Sequence, residues 1–156
     1  MSRSISVEAK SSAYKSLVLP ILLCGVESWC LTESLLHKLQ NVHHSCIRAM
    51  CRLNRLHVLK YRISNEQLLS KLNLKPIELY IFNRQLSWHG HASRMSFERL
   101  PRKLPLSWMC NRRPKGSPEF TYGRDVYKAF KWFDIDKKCW FDLASNRDVW
   151  RNVIKV

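Results

Sequence analysis

The sequence predicts an all-α fold, an irregular helical bundle around a central helix over residues 76–95, on three observations. Apolar residues recur at helical spacing in almost every ordered stretch, and no run of alternating apolar and polar residues reads as a strand. The 46% hydrophobic content and six tryptophans suffice for a packed core. The stretch from Pro76 to Met95 is apolar on two nearly opposite faces, the pattern of a helix packed between others.

In that stretch Pro76 suits a first helical position, and no further proline follows until Pro101. At about 100° per residue, Ile77, Tyr80, Ile81, Trp88, Ala92 and Met95 share one face. Leu79, Phe82 and Leu86 gather on the other, where Gly90 lets a neighbour approach closely. Glu78, Gln85 and His89 form one polar edge; Asn83, Ser87 and Arg94 form the other. Arg84 and His91 fall inside the first apolar stripe and read as a satisfied helix-interface pair, with His91 a buried hydrogen-bonder.

Taken in order, residues 1–10 read as a frayed terminus. Tyr14, Leu17, Val18, Ile21 and Leu22 then repeat at helical spacing, with Pro20 as a kink and Gly25 as the stop. Thr32 is an N-cap with Glu33 in the first turn of a helix expected to run to about Leu53. Leu35, Leu36, Leu39, Val42, His43, Cys46, Ile47 and Met50 form its core face. His37, His44, Arg48, Arg52 and Arg55 stack opposite. Ser64 and Gln67 make a capping box for a short helix ending near Leu72. After the central helix, Arg99-Leu-Pro-Arg-Lys-Leu-Pro reads as extended, and residues 110–119 as a mobile basic loop. Tyr122, Val126, Ala129, Phe130 and Phe133 return to helical spacing. Trp140, Leu143, Ala144, Arg147, Trp150 and Ile154 keep it, with a break near Asn146. The expected organisation is a helical bundle over 11–96, a basic linker over 97–121 and a helical extension over 122–155.

The formal net charge of +15 is the strongest bulk signal. Residues 46–115 hold fifteen of the 27 lysines and arginines against three glutamates, so the excess is concentrated. Such a concentration favours a polyanion, most often nucleic acid, through counterion release. The competing reading is a solvated basic face on a helical protein–protein interaction module.

The six cysteines form no tight framework, and reduced thiols in an intracellular protein, nuclear or cytoplasmic, are expected. The apolar run from Leu17 to Val26 is interrupted by Pro20 and is too short to span a bilayer. Metal binding is disfavoured on geometry. Cys46 and Cys51 lie about 140° apart on a continuous helix, and His89 and His91 point almost oppositely. No phosphate-binding glycine loop, nucleophile elbow or adjacent carboxylate pair occurs. No metal, cofactor or catalytic residue is therefore expected.

Four short stretches, in order, resemble the C-terminal part of the endonuclease–reverse transcriptase polyproteins of LINE-type (non-LTR) retrotransposons. Leu19-Pro-Ile-Leu-Leu-Cys-Gly-Val-Glu-Ser-Trp29 is similar to the family's PILLYGSETW, with Cys24 where tyrosine is usual. The helix after Thr32, with Leu39, Cys46, Ile47 and Arg48, resembles KLEAFQRRCLRRIL. Trp88-His-Gly-His-Ala-Ser-Arg-Met95 is similar to WLGHVLRM, with His89 for an apolar residue, and Arg99-Leu-Pro-Arg102 follows it. Leu143-Ala-Ser-Asn-Arg-Asp-Val-Trp-Arg151 resembles LAQDRDKWR, with Asn146 for aspartate. The family's basic RRRGRPRKTW segment is only partly kept at residues 112–122, where Ser117 and Glu119 break the run.

The resemblance implies the thumb-like helices and the extension beyond the polymerase palm, which help grip template and primer. It does not bring the palm aspartates that hold Mg²⁺ in two-metal nucleotidyl transfer, nor the endonuclease. The expectation is thus a non-catalytic fragment, the translated remnant of a truncated element. It would bind RNA or DNA weakly and with salt sensitivity, without a membrane, and self-associate through exposed apolar helix surface. The candidate nucleic-acid contacts are Arg48, Arg52, Arg94, Arg102, Lys103, Arg112, Arg113 and Lys115. Arg94 is the foremost of them.

Overall fold

The structure, a computed structural model, describes residues 5–103 and 122–155, and every regular element among them is helical. The chain divides into two compact units, Met1–Cys24 with Glu33–Leu79, and Gly25–Thr32 with Tyr80–Val156. None of the three boundaries, after Cys24, Thr32 and Leu79, coincides with the 96/97 boundary expected from the sequence. Proline and charge mark solvent exposure, whereas the units are defined by contacts between segments distant in sequence.

In the first unit, helix α1 (Val7–Ala13) is capped by Ser6, whose hydroxyl accepts from the Ala9 N–H. This cap starts the helix earlier than the frayed terminus predicted. A π-helical turn follows over Tyr14–Val18, closed by the Leu19 N–H on the Tyr14 carbonyl, and α2 (Leu19–Leu22) carries Pro20 in its first turn. The kink expected at Pro20 takes this widened form. The chain then turns at Gly25, whose φ of 73° is left-handed.

Helix α3 (Glu33–Met50) begins directly after Thr32. It ends in a Schellman motif, with Leu53 N–H on the Arg48 carbonyl and Arg52 N–H on that of Ala49. Arg52 supplies the left-handed residue, φ 54°. The helix therefore stops at Met50 rather than Leu53, and Arg52 and Arg55 do not continue the Arg48 stripe. Helix α4 (Arg55–Lys60), which the apolar pattern does not predict, and α5 (Asn65–Lys71) end alike on Arg62 and Asn73, φ 48° and 50°. The Ser64–Gln67 capping box that starts α5 is present in both directions.

Helix α3 packs against α1 and α5, and it buries His43 and Ile47. Leu35 and Val42, predicted to lie in the core, are instead about half exposed (45% and 47%), because the packed face is centred on His43. The fully buried His43 donates from Nε2 to the Lys75 carbonyl at 3.1 Å. Its Nδ1 therefore accepts the Tyr14 hydroxyl at 2.7 Å in the neutral ring. Burial pushes the His43 pKa down.

Helix α6 (Ile77–Ser93) follows Pro76 directly, and from Tyr80 onward it belongs to the second unit. That unit also holds a 3₁₀ turn (Val26–Ser28), a helical turn over residues 100–103, α7 (Tyr122–Trp132), α8 (Trp140–Ser145) and α9 (Arg147–Val153). The turn at 100–103 corrects the extended reading; Pro101 sits in its first turn, where a proline costs no hydrogen bond. Asn146 breaks α8 from α9 as expected, its side chain accepting from the N–H groups of Asp148 and Val149.

The polar edge predicted along Gln85 and His89 is buried, while Trp88 from the predicted apolar face is exposed. Partners far away in sequence cause this rotation. The Gln85 amide reaches the Trp29 carbonyl at 3.5 Å, and the His89 ring stacks on Tyr122 with centroids 5.5 Å apart. Segment 25–32 is fastened to the start of α7, with Leu31 N–H on the Asp125 carboxylate at 2.9 Å and the Tyr122 hydroxyl on the Glu27 carbonyl. His89 donates from Nδ1 to the Gln85 carbonyl, and burial lowers its pKa.

Among the described residues, Cys24, Cys30, Cys46, Cys51 and Cys139 are free thiols. No described helix is long and apolar enough to cross a membrane.

Candidate nucleic-acid interface

In the second unit α6 and α9 face each other across a cleft of about 440 Å³. Helix α6 contributes Ser87, His91 and Arg94, which at spacings of four and three residues lie on one stripe. Helix α9 contributes Arg147 and Arg151, one turn apart, with Trp150 between them, and Ile154 follows at its C-cap. The five polar residues are exposed; Trp150 and Ile154 are buried and form an apolar floor.

One close crossing sets this geometry. A β-carbon at position 90 would stand 2.2 Å from the Trp150 ring nitrogen, so only glycine lets the indole in. That nitrogen donates to the Leu86 carbonyl at 3.0 Å. At the ends of the same interface, the Asn83 amide donates to the Ile154 carbonyl and the Arg94 guanidinium to that of Ala144. The close helix crossing predicted at Gly90 is thus observed. His91, predicted to be buried, lines the open cleft instead and sits beside the Trp88 ring, centroids 5.8 Å apart.

Among the described residues, no carboxylate side chain lines the cleft. Partial burial, then the charges of Arg147 and Arg151, push the Arg94 pKa down. A guanidinium stays protonated at any working pH, so three like charges converge with no anion among the described lining residues. A second cleft of about 600 Å³ along α7 differs in this respect. There Asp134 and Asp136 stand among Lys131, Lys137 and Arg124, and Lys137 lies 4.1 Å over the Tyr127 ring.

Among the described residues no three of His, Cys, Asp or Glu form a metal-binding group. No protein-family model, curated protein or solved structure matches the chain.

The candidate contacts named from sequence fare differently. Arg94 lies in the cleft. Arg102 belongs to the same unit, but its guanidinium is committed elsewhere. It donates to the Met95 carbonyl at 2.6 Å and lies over the rings of Phe97 and Phe141 at 5.8 and 5.5 Å. Lys103 is exposed on the same helical turn. Arg48 and Arg52 belong to the first unit, Arg48 half-buried on α3 and Arg52 exposed at the left-handed cap. Arg112, Arg113 and Lys115 lie outside the described residues. Arg147 and Arg151 escaped the sequence reading. Their four-residue spacing was visible, and Gly90 announced a close neighbour, but nothing in the sequence identified that neighbour as Trp150.

Proposed function

We propose that this chain is a non-catalytic helical fragment akin to the C-terminal region of a LINE-type reverse transcriptase, and that it binds single-stranded RNA or DNA through basic surface. The observation that carries this reading is the convergence of Arg94, Arg147 and Arg151 with no acidic side chain among the described lining residues. Planar guanidinium groups suit phosphate through paired hydrogen bonds. The family resemblance adds support from the same place. Two of its four stretches, Trp88 to Met95 and Leu143 to Arg151, contribute the two sides of the cleft.

Fluorescence anisotropy with labelled single strands at 50 and 200 mM salt tests the reading. Neutralising three phosphates gives a log–log salt slope of about −2, or a roughly 20-fold loss of affinity over that range. Absence of binding at 50 mM salt would remove the proposal.

A second reading, a protein–protein or self-association module, rests on Leu17, Val18 and Ile21 in the first unit, which are 62%, 44% and 77% exposed. Contiguous exposed apolar side chains of this kind mark contact surfaces. Concentration-dependent sedimentation that is insensitive to salt would favour it over the first.

A further inference from the structure

The geometry points to the end of a strand, a terminal phosphomonoester with its nucleotide, as the ligand of the Arg94–Arg147–Arg151 cleft. This deepens the nucleic-acid reading and rests on it for the strand, while the phosphate chemistry stands on the cleft alone.

Three features separate a chain end from an internal phosphate. The first is charge. An internal diester brings one negative charge, whereas a monoester brings about −1.5 to −2 at pH 7. Three guanidiniums with no acidic side chain among the described lining residues are better matched by the larger charge. The second is the number of acceptors. An internal diester has two terminal oxygens, and a monoester has three. The donors here come from two directions, Arg94 on α6 and the pair Arg147 and Arg151 on α9, with the Ser87 hydroxyl and the His91 ring on the same α6 stripe. The third is size. A cleft of about 440 Å³ lies within the range of roughly 300–1,000 Å³ that holds small organic ligands rather than a bare ion.

The floor fits the rest of a nucleotide. The buried Trp150 and Ile154 border the cleft floor with apolar atoms, and the Trp150 N–H is already held by the Leu86 carbonyl, so the floor presents no competing donor. The cleft is also preformed. The Gly90–Trp150 contact fixes the helices, and the Arg94 guanidinium is oriented by the Ala144 carbonyl before any ligand arrives.

The test uses the full chain and ten-nucleotide single strands carrying a 5′-phosphate, a 3′-phosphate or hydroxyls at both ends, labelled internally, at 100 mM salt and pH 7.5. One of the phosphorylated strands is expected to bind about tenfold tighter than the hydroxyl strand. Inorganic phosphate and a nucleoside monophosphate should each raise the melting temperature, and the unphosphorylated nucleoside should not. Arg147→Gln with Arg151→Gln, both exposed positions, should bring the phosphorylated-to-hydroxyl affinity ratio to about one with an unchanged circular dichroism spectrum. Equal affinity for phosphorylated and hydroxyl ends, with binding intact, overturns the proposal and leaves nucleic-acid binding standing. Preference retained in the double variant overturns the assignment to this cleft. Stabilisation by phosphate and monophosphate without binding of any strand overturns the nucleic-acid reading and leaves a phosphomonoester site. No response to any probe overturns both.

Discussion

The Trp150 indole occupies the space that a side chain at Gly90 would fill, with its ring nitrogen 2.2 Å from the position of a β-carbon there. The contact joins residues 60 positions apart and brings Arg147 and Arg151 to Arg94. Gly90→Ala must therefore displace the ring or the helix. Overpacking and loss of the Trp150–Leu86 hydrogen bond together cost about 2–4 kcal/mol. Chemical denaturation should read that loss, and strand binding should weaken in parallel because α9 carries two of the three arginines. A Gly90→Ala protein as stable as the parent would show that the crossing is not close.

Much of the fold was legible wherever a signal was local. The Ser64–Gln67 box, the turn at Gly25 and the break at Asn146 each depend on residues within a few positions of one another, and each is present. What was illegible depends on contacts across the chain. Gln85 and His89 read as a solvent edge from periodicity, but they are buried through Trp29 and Tyr122, segments 56 and 33 residues away. The site was half legible for the same reason. Arg94 could be singled out on its edge of α6, whereas its partners depend on a tryptophan finding a glycine.

Helix ends illustrate a different failure. A chain with four glycines offers few C-cap signals, and four turns here use Arg52, Arg62, Asn73 and Asp134 at positive φ. A non-glycine residue in that conformation costs about 1–2 kcal/mol, partly offset by the lower chain entropy of the unfolded state. Arg62→Gly, at an exposed position, should stabilise the protein by about 0.5–1 kcal/mol, read as a higher urea midpoint. Arg62→Ala keeps the strain and should gain nothing. If both variants behave alike, backbone strain is not what position 62 carries.

Acid should destabilise the fold well above the range where carboxylates titrate. Burial is the leading cause that lowers the pKa values of His43, His44 and His89 below the ordinary 6.5, aided at His44 by Arg48. Well above pH 6.5 these rings are neutral in both states, so they contribute no pH dependence there. As the pH falls below it, the unfolded chain takes up protons that the folded one refuses, and stability declines towards the lowered folded pKa values. The urea midpoint should fall between pH 7.5 and pH 5.5. His43→Gln, which removes one such ring and keeps a donor for the Lys75 carbonyl, should make that decline shallower. A flat profile in the parent, or an unchanged slope in the variant, would contradict this account.

Gln85 offers the opposite opportunity. It is fully buried, its Oε1 has no hydrogen-bond partner among the described residues, and its amide nitrogen only just reaches the Trp29 carbonyl at 3.5 Å. An unsatisfied buried acceptor costs about 1–3 kcal/mol, whereas a hydrogen bond at that distance returns little. Methionine has nearly the same length and no polar atom to bury, so Gln85→Met removes the penalty without opening a cavity. The expected gain is about 1 kcal/mol, a rise in melting temperature of roughly 2–4 °C for a chain of this size. Gln85→Glu is the contrasting change, because it places a carboxylate where the amide oxygen is already unpaired, and it should be destabilising by several kcal/mol near neutral pH. If Gln85→Met were instead destabilising by more than about 1 kcal/mol, the amide would have to hold segment 25–32 to α6 more firmly than a single 3.5 Å contact accounts for.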